Sequence, residues 1–255
     1  MLFLTGIIAG FLSGFLGIGG GIVIVPVVMY FLEGKVPVDN LFLATSTISL
    51  SVIILSATNA SLKHIKHQNF YKKAIFPIII GAFAGALPGN YICILISDTT
   101  RMIIFSIVIF SLALKILWFR NKEDHERANF NFWMMFLAGF AMGMISSMTG
   151  LGGGAILVPI VTVMLHFDIK KAIGVSTIVM IFTAIAGVVG RLFTDIGSYL
   201  TWDIFIPYFL AITFGTLLSA RLGAMLNIKS KSKNVKLFAA TLYFIVALKM
   251  IYKIL

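Results

Sequence analysis

Apolar runs of bilayer-crossing length, parted by short islands of charge, constrain this chain more than any other feature. They lie at about 2–32, 41–60, 74–96, 101–119, 131–166, 172–193, 202–226 and 235–254. A helix needs ~20 residues, at ~1.5 Å each, to cross the hydrocarbon core. Of the 255 residues, 60% are hydrophobic and 11% charged, against roughly 45–50% and about 25% in soluble domains. Water-soluble, disordered and disulfide-scaffold classes are thereby excluded. The runs show no period-2 alternation, which argues against a transmembrane barrel. Lipid offers the remaining backbone only helical hydrogen bonding, so the expected fold class is an all-α integral membrane protein. No polar stretch is long enough for a soluble domain, and the single Cys93 permits no intrachain disulfide. Met1–Thr5 lacks the basic region of a cleavable signal, so the first segment is expected to be retained.

The formal net charge of +11 does not indicate nucleic acid. Lys and Arg cluster between apolar runs, as in cytoplasmic loops held by the positive-inside rule, and no basic groove interleaved with aromatics is present. The most polar interruption, Arg120–Arg127, divides the chain into a first membrane repeat at 1–119, a cytoplasmic linker at 120–130 and a second repeat at 131–255.

The halves are related. A shift of 133 positions aligns Phe3-Leu4 with Phe136-Leu137, and Gly6, Gly10 and Ser13 with Gly139, Gly143 and Ser146. It also pairs Gly17-Ile18-Gly19-Gly20-Gly21 with Gly150-Leu151-Gly152-Gly153-Gly154, and Val25-Pro26 with Val158-Pro159. Over positions 3–32, 13 of 30 residues are identical. With small changes of offset, Ser46-Thr47 meets Ser176-Thr177, Gly81/Gly85/Gly89 meets Gly215/Ser219/Gly223, and Ala113–Lys115 meets Ala247–Lys249. Collinear matches over four segments mean internal duplication.

Segments 2–32 and 131–166 exceed one simple span, and each is broken by Gly-x-Gly-Gly-Gly. If the break merely kinks one spanning helix, Lys and Arg divide eleven against nine across the membrane. If each broken segment enters and leaves on one side, they divide fifteen against five. The second count is a normal positive-inside bias. Two inverted repeats are therefore expected, each a broken re-entrant helical hairpin plus three transmembrane helices, with both termini outside. Inverted repeats with broken helices at depth are a secondary-transporter design.

Irregular backbone at membrane depth must be buried in protein or line a watery cavity. The helix after each break starts near Gly20 or Gly153 and offers free N–H groups and a positive dipole end. The candidate substrate-binding residues for a small anion are thus Gly17, Gly19, Gly20, Gly21, Gly150, Gly152, Gly153 and Gly154. Tight helix packing is the competing reading, and it is preferred for the Gly81 and Gly215 rows. Ser46, Thr47, Ser176 and Thr177 are further candidates: their hydroxyls either donate to an anion or bond back to their own helix. Ser13, Ser146, Ser147 and Thr149 border the breaks. Pro26 and Pro159 are expected to cap or kink the second arms; for Arg191, attracting or binding an anion is the alternative to the preferred reading, an arginine that snorkels at an interface.

Absences discriminate too. Glu33, Asp39, Asp98, Glu123, Asp124, Glu126, Asp168, Asp195 and Asp203 all fall in or beside expected loops, so the usual intramembrane carboxylate relay is missing. His64 and His67 are placed in a basic, membrane-facing loop and make a poor metal site. Gly150-x-Gly152-x-x-Ala155 lacks a preceding strand and a spaced acid, so it is no dinucleotide site. No cofactor, metal site or Walker sequence is expected, nor a nucleophile–base pair of an enzyme. An intramembrane enzyme and a non-transporting assembly subunit remain the alternatives to transport.

The twofold Gly-x-Gly-Gly-Gly-x-x-x-Val-Pro motif, with Ser-Thr downstream and a glycine-rich third segment, resembles the TauE/SafE family of membrane transporters, or sulfite exporters. The resemblance spans essentially the whole chain. It implies a plasma-membrane permease for sulfur-containing anions such as sulfite or organosulfonates. In this family reading Gly17–Gly21, Gly150–Gly154, Ser46-Thr47 and Ser176-Thr177 are the positions carried over.

Overall fold

The computed structural model describes residues 1–118, 128–193 and 200–230, with 235, 237, 238, 241–246, 248 and 249. The expected linker island 120–127 and Asp195 lie outside the described residues. The helices are α1 (Leu2–Leu16), α2 (Gly21–Leu32), α3 (Leu41–Lys66), α4 (Lys72–Leu95), α5 (Asp98–Trp118), α6 (Phe132–Thr149), α7 (Gly154–Met164), α8 (Ile169–Leu192) and α9 (Trp202–Lys229). Among the described residues there is no strand. Five helical stretches, Val38–Lys66, Lys72–Leu95, Phe132–Thr149, Ile169–Leu192 and Trp202–Lys229, are long and apolar enough to cross a membrane. The all-α membrane fold expected from the apolar runs is the fold observed.

Both broken segments are two helices, not one. α1 ends on Gly17, whose φ of 66° is left-handed and whose N–H donates to the Ser13 carbonyl. α6 ends the same way on Gly150, φ 72°, against Ser146. In each break the chain then folds back. Gly20 sits against the Ala9 carbonyl and Gly153 against the Met142 side chain, about two turns before the preceding helix ends. Pro26 and Pro159 lie inside α2 and α7.

Helices from the two halves of the chain pair with one another. α1 packs alongside α9, with Gly6, Gly10 and Gly14 on the backbone of Ile212, Thr216 and Ala220. α4 packs alongside α6, with Gly81 and Gly85 against the carbonyls of Phe136 and Phe140, and Gly139 and Gly143 against those of Ile78 and Ala82. Both pairs run parallel, and their missing side chains let backbone meet backbone. The expected packing role of the Gly81 and Gly215 rows is what these contacts describe. Three buried asparagines stitch the helices: Asn59 Nδ2 donates to the Leu217 carbonyl at 2.7 Å, Asn90 Nδ2 to Ala186 at 3.1 Å and Asn227 Nδ2 to Phe15 at 2.8 Å. Each saturates a carbonyl in a neighbouring helix that lipid could not.

At the centre α3 and α8 cross in opposite directions, with Leu50 on Gly187 and Arg191 on Leu43. The start of α3 is fixed by Asp98, whose Oδ2 accepts the Phe42 N–H. Asp98 also pairs with Arg101, which donates through Nε to the Cys93 carbonyl at 2.8 Å. That ion pair is buried at the α4–α5 turn, tying three helix ends together.

Candidate functional site

The two breaks meet at the centre of the molecule. A Cβ on Gly154 would lie 1.9 Å from the Gly17 carbonyl oxygen, and one on Gly21 would lie 2.6 Å from that of Gly150. The start of α7 therefore rests on the end of α1, and the start of α2 on the end of α6. Gly19 and Gly152, at φ 79° and 74°, are flanked by Met180 and Ile53 of the crossing helices α8 and α3. Gly20 and Gly153, also left-handed, are the N-caps of α2 and α7 and carry no side-chain cap. Their carbonyls accept from Val23 and Ile24, and from Ile156 and Leu157. The N–H groups before those donors have no intrahelical acceptor, so two positive helix ends converge here.

Hydroxyls bind the break carbonyls. Ser176 Oγ donates to Gly17 at 2.9 Å, Ser49 Oγ to Gly150 at 2.8 Å and Thr183 Oγ1 to Gly152 at 2.9 Å. Ser56 Oγ donates to Ser13 Oγ at 2.9 Å. All are buried. Ser146, one turn before Gly150, is fully buried and has no hydrogen-bond partner for its Oγ among the described residues.

The hydroxyl candidates from sequence divide. Ser46 and Thr47 bond back to the Leu43 carbonyl and Thr177 to that of Ile173, the self-bonding alternative. Of the four, Ser176 alone bonds a break through its hydroxyl, while Ser46 packs on Gly150 through its Cβ and backbone. Ser147 and Thr149 also bond within their own helix. Ser49 and Thr183, which hold break carbonyls as Ser176 does, and Ser56, which reaches Ser13, are not among the hydroxyls that the sequence singles out.

The structure also corrects the register of the repeat. Gly19 touches Met180 and Gly152 touches Ile53; Gly17 touches Ile173 and Gly150 touches Ser46; Ser176 holds Gly17 and Ser49 holds Gly150. Across the two breaks the α3 and α8 members, Ile53 and Met180, Ser46 and Ile173, and Ser49 and Ser176, are each 127 residues apart. Ser176 thus corresponds to Ser49, and Ser46 to Ile173, one helical turn from the sequence match of Ser46-Thr47 with Ser176-Thr177. The signal was present in Ser49-x-x-Val52-x-Ile54-x-Ser56-Ala57 against Ser176-x-x-Val179-x-Ile181-x-Thr183-Ala184.

Two further expectations are overturned. Arg191 does not snorkel: it is fully buried and donates to the Ser147 carbonyl at 2.6 Å, to Leu43 at 3.3 Å and to Thr47 Oγ1 at 3.5 Å. Its carbonyl partners lie on α3 and α6, so the guanidinium clamps three helix ends. His64 does not lie in a loop but in the last turn of α3, fully buried. Among the described residues no group of three potential metal ligands forms.

A helical membrane bundle with two broken helices meeting at its centre is the architecture of a multi-pass membrane transporter, and comparison places the chain in one family of that class. The model for Sulfite exporter TauE/SafE matches residues 2–250, so the chain belongs to the TauE/SafE family. It is 29% identical to a probable membrane transporter protein of Haemophilus influenzae, covering 98% of this chain and 97% of that one. The probable membrane transporter protein YunE of Bacillus subtilis is 25% identical, over 99% and 97%. One from Methanocaldococcus jannaschii is 24% identical, over 98% and 94%. No solved structure matches.

Proposed function

We propose that this chain is a secondary permease exporting a small anion, sulfite or an organosulfonate, from the cytoplasm. The observation that carries this reading is the meeting of two uncapped helix starts, at Gly21 and Gly154, deep among buried hydroxyls. Free N–H groups and hydroxyls stabilise an anion without bringing a fixed charge into the membrane. The unpartnered Ser146 hydroxyl beside the second break is a donor still to be used. The candidate glycines Gly17, Gly19, Gly20, Gly21, Gly150, Gly152, Gly153 and Gly154 supply the backbone of this site, with Ser176 beside them. In the present conformation the breaks press on one another, so passage requires them to separate.

The inverted arrangement is part of the proposal. Equivalent helices α3 and α8 run antiparallel, whereas the exchanged pairs α1–α9 and α4–α6 run parallel, which supports two repeats of opposite orientation with both termini outside. The division of positive charge then places the basic loops in the cytoplasm. Alternating access would follow from the exchanged pairs, α1 with α9 and α4 with α6, rocking as two units about the central α3–α8 crossing.

The test is binding of sulfite, sulfate, taurine and acetate to purified protein, with Ser146→Ala and Ser176→Ala compared. Leucine at Gly20 or Gly153 would strike Ala9 or Met142, so hydroxyl removal is the gentler probe. Saturable binding of a sulfur anion is expected, weakened about tenfold by folded Ser146→Ala, which loses one hydrogen bond to a charged group, and weakened also by Ser176→Ala, which releases the Gly17 carbonyl. Binding unchanged in both variants would move the site elsewhere.

A further inference from the structure

The corrected register sets His64 opposite Arg191, since they too are 127 residues apart. Both are fully buried, and they occupy opposite ends of the α3–α8 crossing. Arg191 joins the end of α8 to the start of α3 and the end of α6. His64 makes the corresponding junction. Its Nδ1 lies 3.1 Å from Asn69 Nδ2, which also donates to the Lys170 carbonyl at the start of α8, at 3.1 Å. Its Nε2 is buried without a hydrogen-bond partner among the described residues, and the backbone of Gly14, near the end of α1, lies beside the ring. Gly14 and Ser147 are themselves equivalent under the 133-residue shift. The backbone of Asn69 presses on Gly174 of α8, whose Cβ would lie 1.8 Å from its carbonyl oxygen.

The chemistry of the two junctions differs. A carbonyl can only accept, so the Lys170 carbonyl fixes the Asn69 amide with its NH₂ inward. One N–H then goes to Lys170 and the other to His64, which requires an unprotonated Nδ1 and places the neutral ring's proton on Nε2. A second proton on the ring puts an N–H against an N–H. If the amide turns to accept from the ring, it surrenders Lys170. Either way one proton costs the junction a side-chain link, the ring–amide contact or the amide's bond to Lys170, and leaves the Asn69 N–H on the His64 carbonyl, at 2.9 Å, to hold it. Arginine stays charged throughout the accessible pH range and has no such second state.

We propose that His64 is a proton-operated latch at the lysine-rich end of the α3–α8 crossing, and that Arg191 is its fixed counterpart at the other end. The charged and titratable groups around the latch do not offer a protonated ring a carboxylate. α1 carries no ionisable side chain, and α9 carries exposed Arg221 and Lys229 towards this end, with Asp203 and Tyr208 in its first turns at the opposite end. On the start of α8, Lys170 donates to the Ile228 carbonyl, Lys171 lies over the Tyr71 ring, and Asp168 Oδ1 accepts the N–H groups of Lys170 and Lys171. Lys63, Lys66 and His67 flank His64 on its own helix and turn, and Lys72 and Lys73 begin α4. A proton on His64 therefore meets positive charge and loosens the end that the basic residues mark as cytoplasmic. This rests on the transporter reading only for its consequence, namely that one end of the passage responds to acid and the other does not.

The test needs no substrate. In a Cys93→Ala background, Ser61→Cys reports on the His64 end and Thr45→Cys on the Arg191 end; both positions are buried. Maleimide labelling of the folded, detergent-purified protein is measured at about pH 5.5 and about pH 8, either side of the ordinary imidazole range. Each rate is normalised to the same protein denatured at the same pH. Labelling at Ser61→Cys is expected to rise about tenfold in acid as the open population grows, with Thr45→Cys unchanged. His64→Gln should abolish the pH response, and Asn69→Ala should leave Ser61→Cys reactive at both pH values. Equal labelling at both pH values, or an acid response that survives His64→Gln, would overturn the latch. A responding latch in a protein that moves no anion would instead sink the transport reading alone.

Discussion

Where α4 crosses α6, Gly85 and Gly143 have ordinary helical backbone, and a Cβ on either would lie 2.0 Å from the carbonyl of Phe140 or Ala82. Where the breaks meet, Gly17, Gly19, Gly20, Gly150, Gly152 and Gly153 all have positive φ. The outer crossings use glycine because no side chain fits between the helices. The breaks use it because the chain must reverse in a left-handed conformation, which costs an L-residue ~1–2 kcal/mol, and because opposing backbone lies close. The outer rows lock the exchanged helix pairs, so motion is better accommodated at the centre, where side chains of Ile53 and Met180 form part of the wall.

That comparison can be broken by alanine. The largest effect is expected at Gly154→Ala, which drives a methyl into the Gly17 backbone with no flexible atom to yield; above ~3 kcal/mol, the upper range for overpacking, little folded protein should survive size-exclusion chromatography. Gly85→Ala, or Gly143→Ala, should cost ~2–3 kcal/mol by forcing apart the α4–α6 pair, read as a lowered unfolding midpoint in detergent. Gly19→Ala comes next at ~1–2 kcal/mol, because its obstacle is the Met180 sulfur, the movable part of a side chain. Smallest is Gly34→Ala. Gly34 has φ 77° but nothing within 4 Å of a Cβ, so only the backbone cost remains, about 1 kcal/mol after the unfolded chain's lost freedom. If Gly34→Ala were as harmful as Gly154→Ala, the distinction between strain and collision would fail.

The sequence exposed the breaks because Gly-x-Gly-Gly-Gly answers a local demand, reversal and close approach, that no other residue meets. It exposed the helices because lipid enforces length and apolarity on each span. It misread the α3–α8 register because apolar residues interchange freely in a membrane helix, so a Ser-Thr dipeptide outweighed the longer, weaker match centred on Val52 and Val179. Arg191 and His64 were misplaced for a different reason. Their partners are carbonyls and an amide on other helices, such as Leu43, Ser147 and Asn69, and no spacing along one helix encodes them. Ser49, Ser56 and Thr183 were missed for the same reason: an isolated hydroxyl looks alike whether it bonds to its own turn or to a neighbour's.

The central claim is that the meeting breaks pass a sulfur anion, and flux tests it most directly. Purified protein reconstituted into liposomes loaded with radiolabelled sulfite should release it saturably, with trans-side unlabelled sulfite accelerating the exchange. Ser176→Ala, which removes a hydrogen bond to the first break, should slow that release about tenfold while the protein remains folded. Release no faster than from empty liposomes, for sulfite, sulfate and taurine alike, from folded protein in both orientations, would contradict the claim.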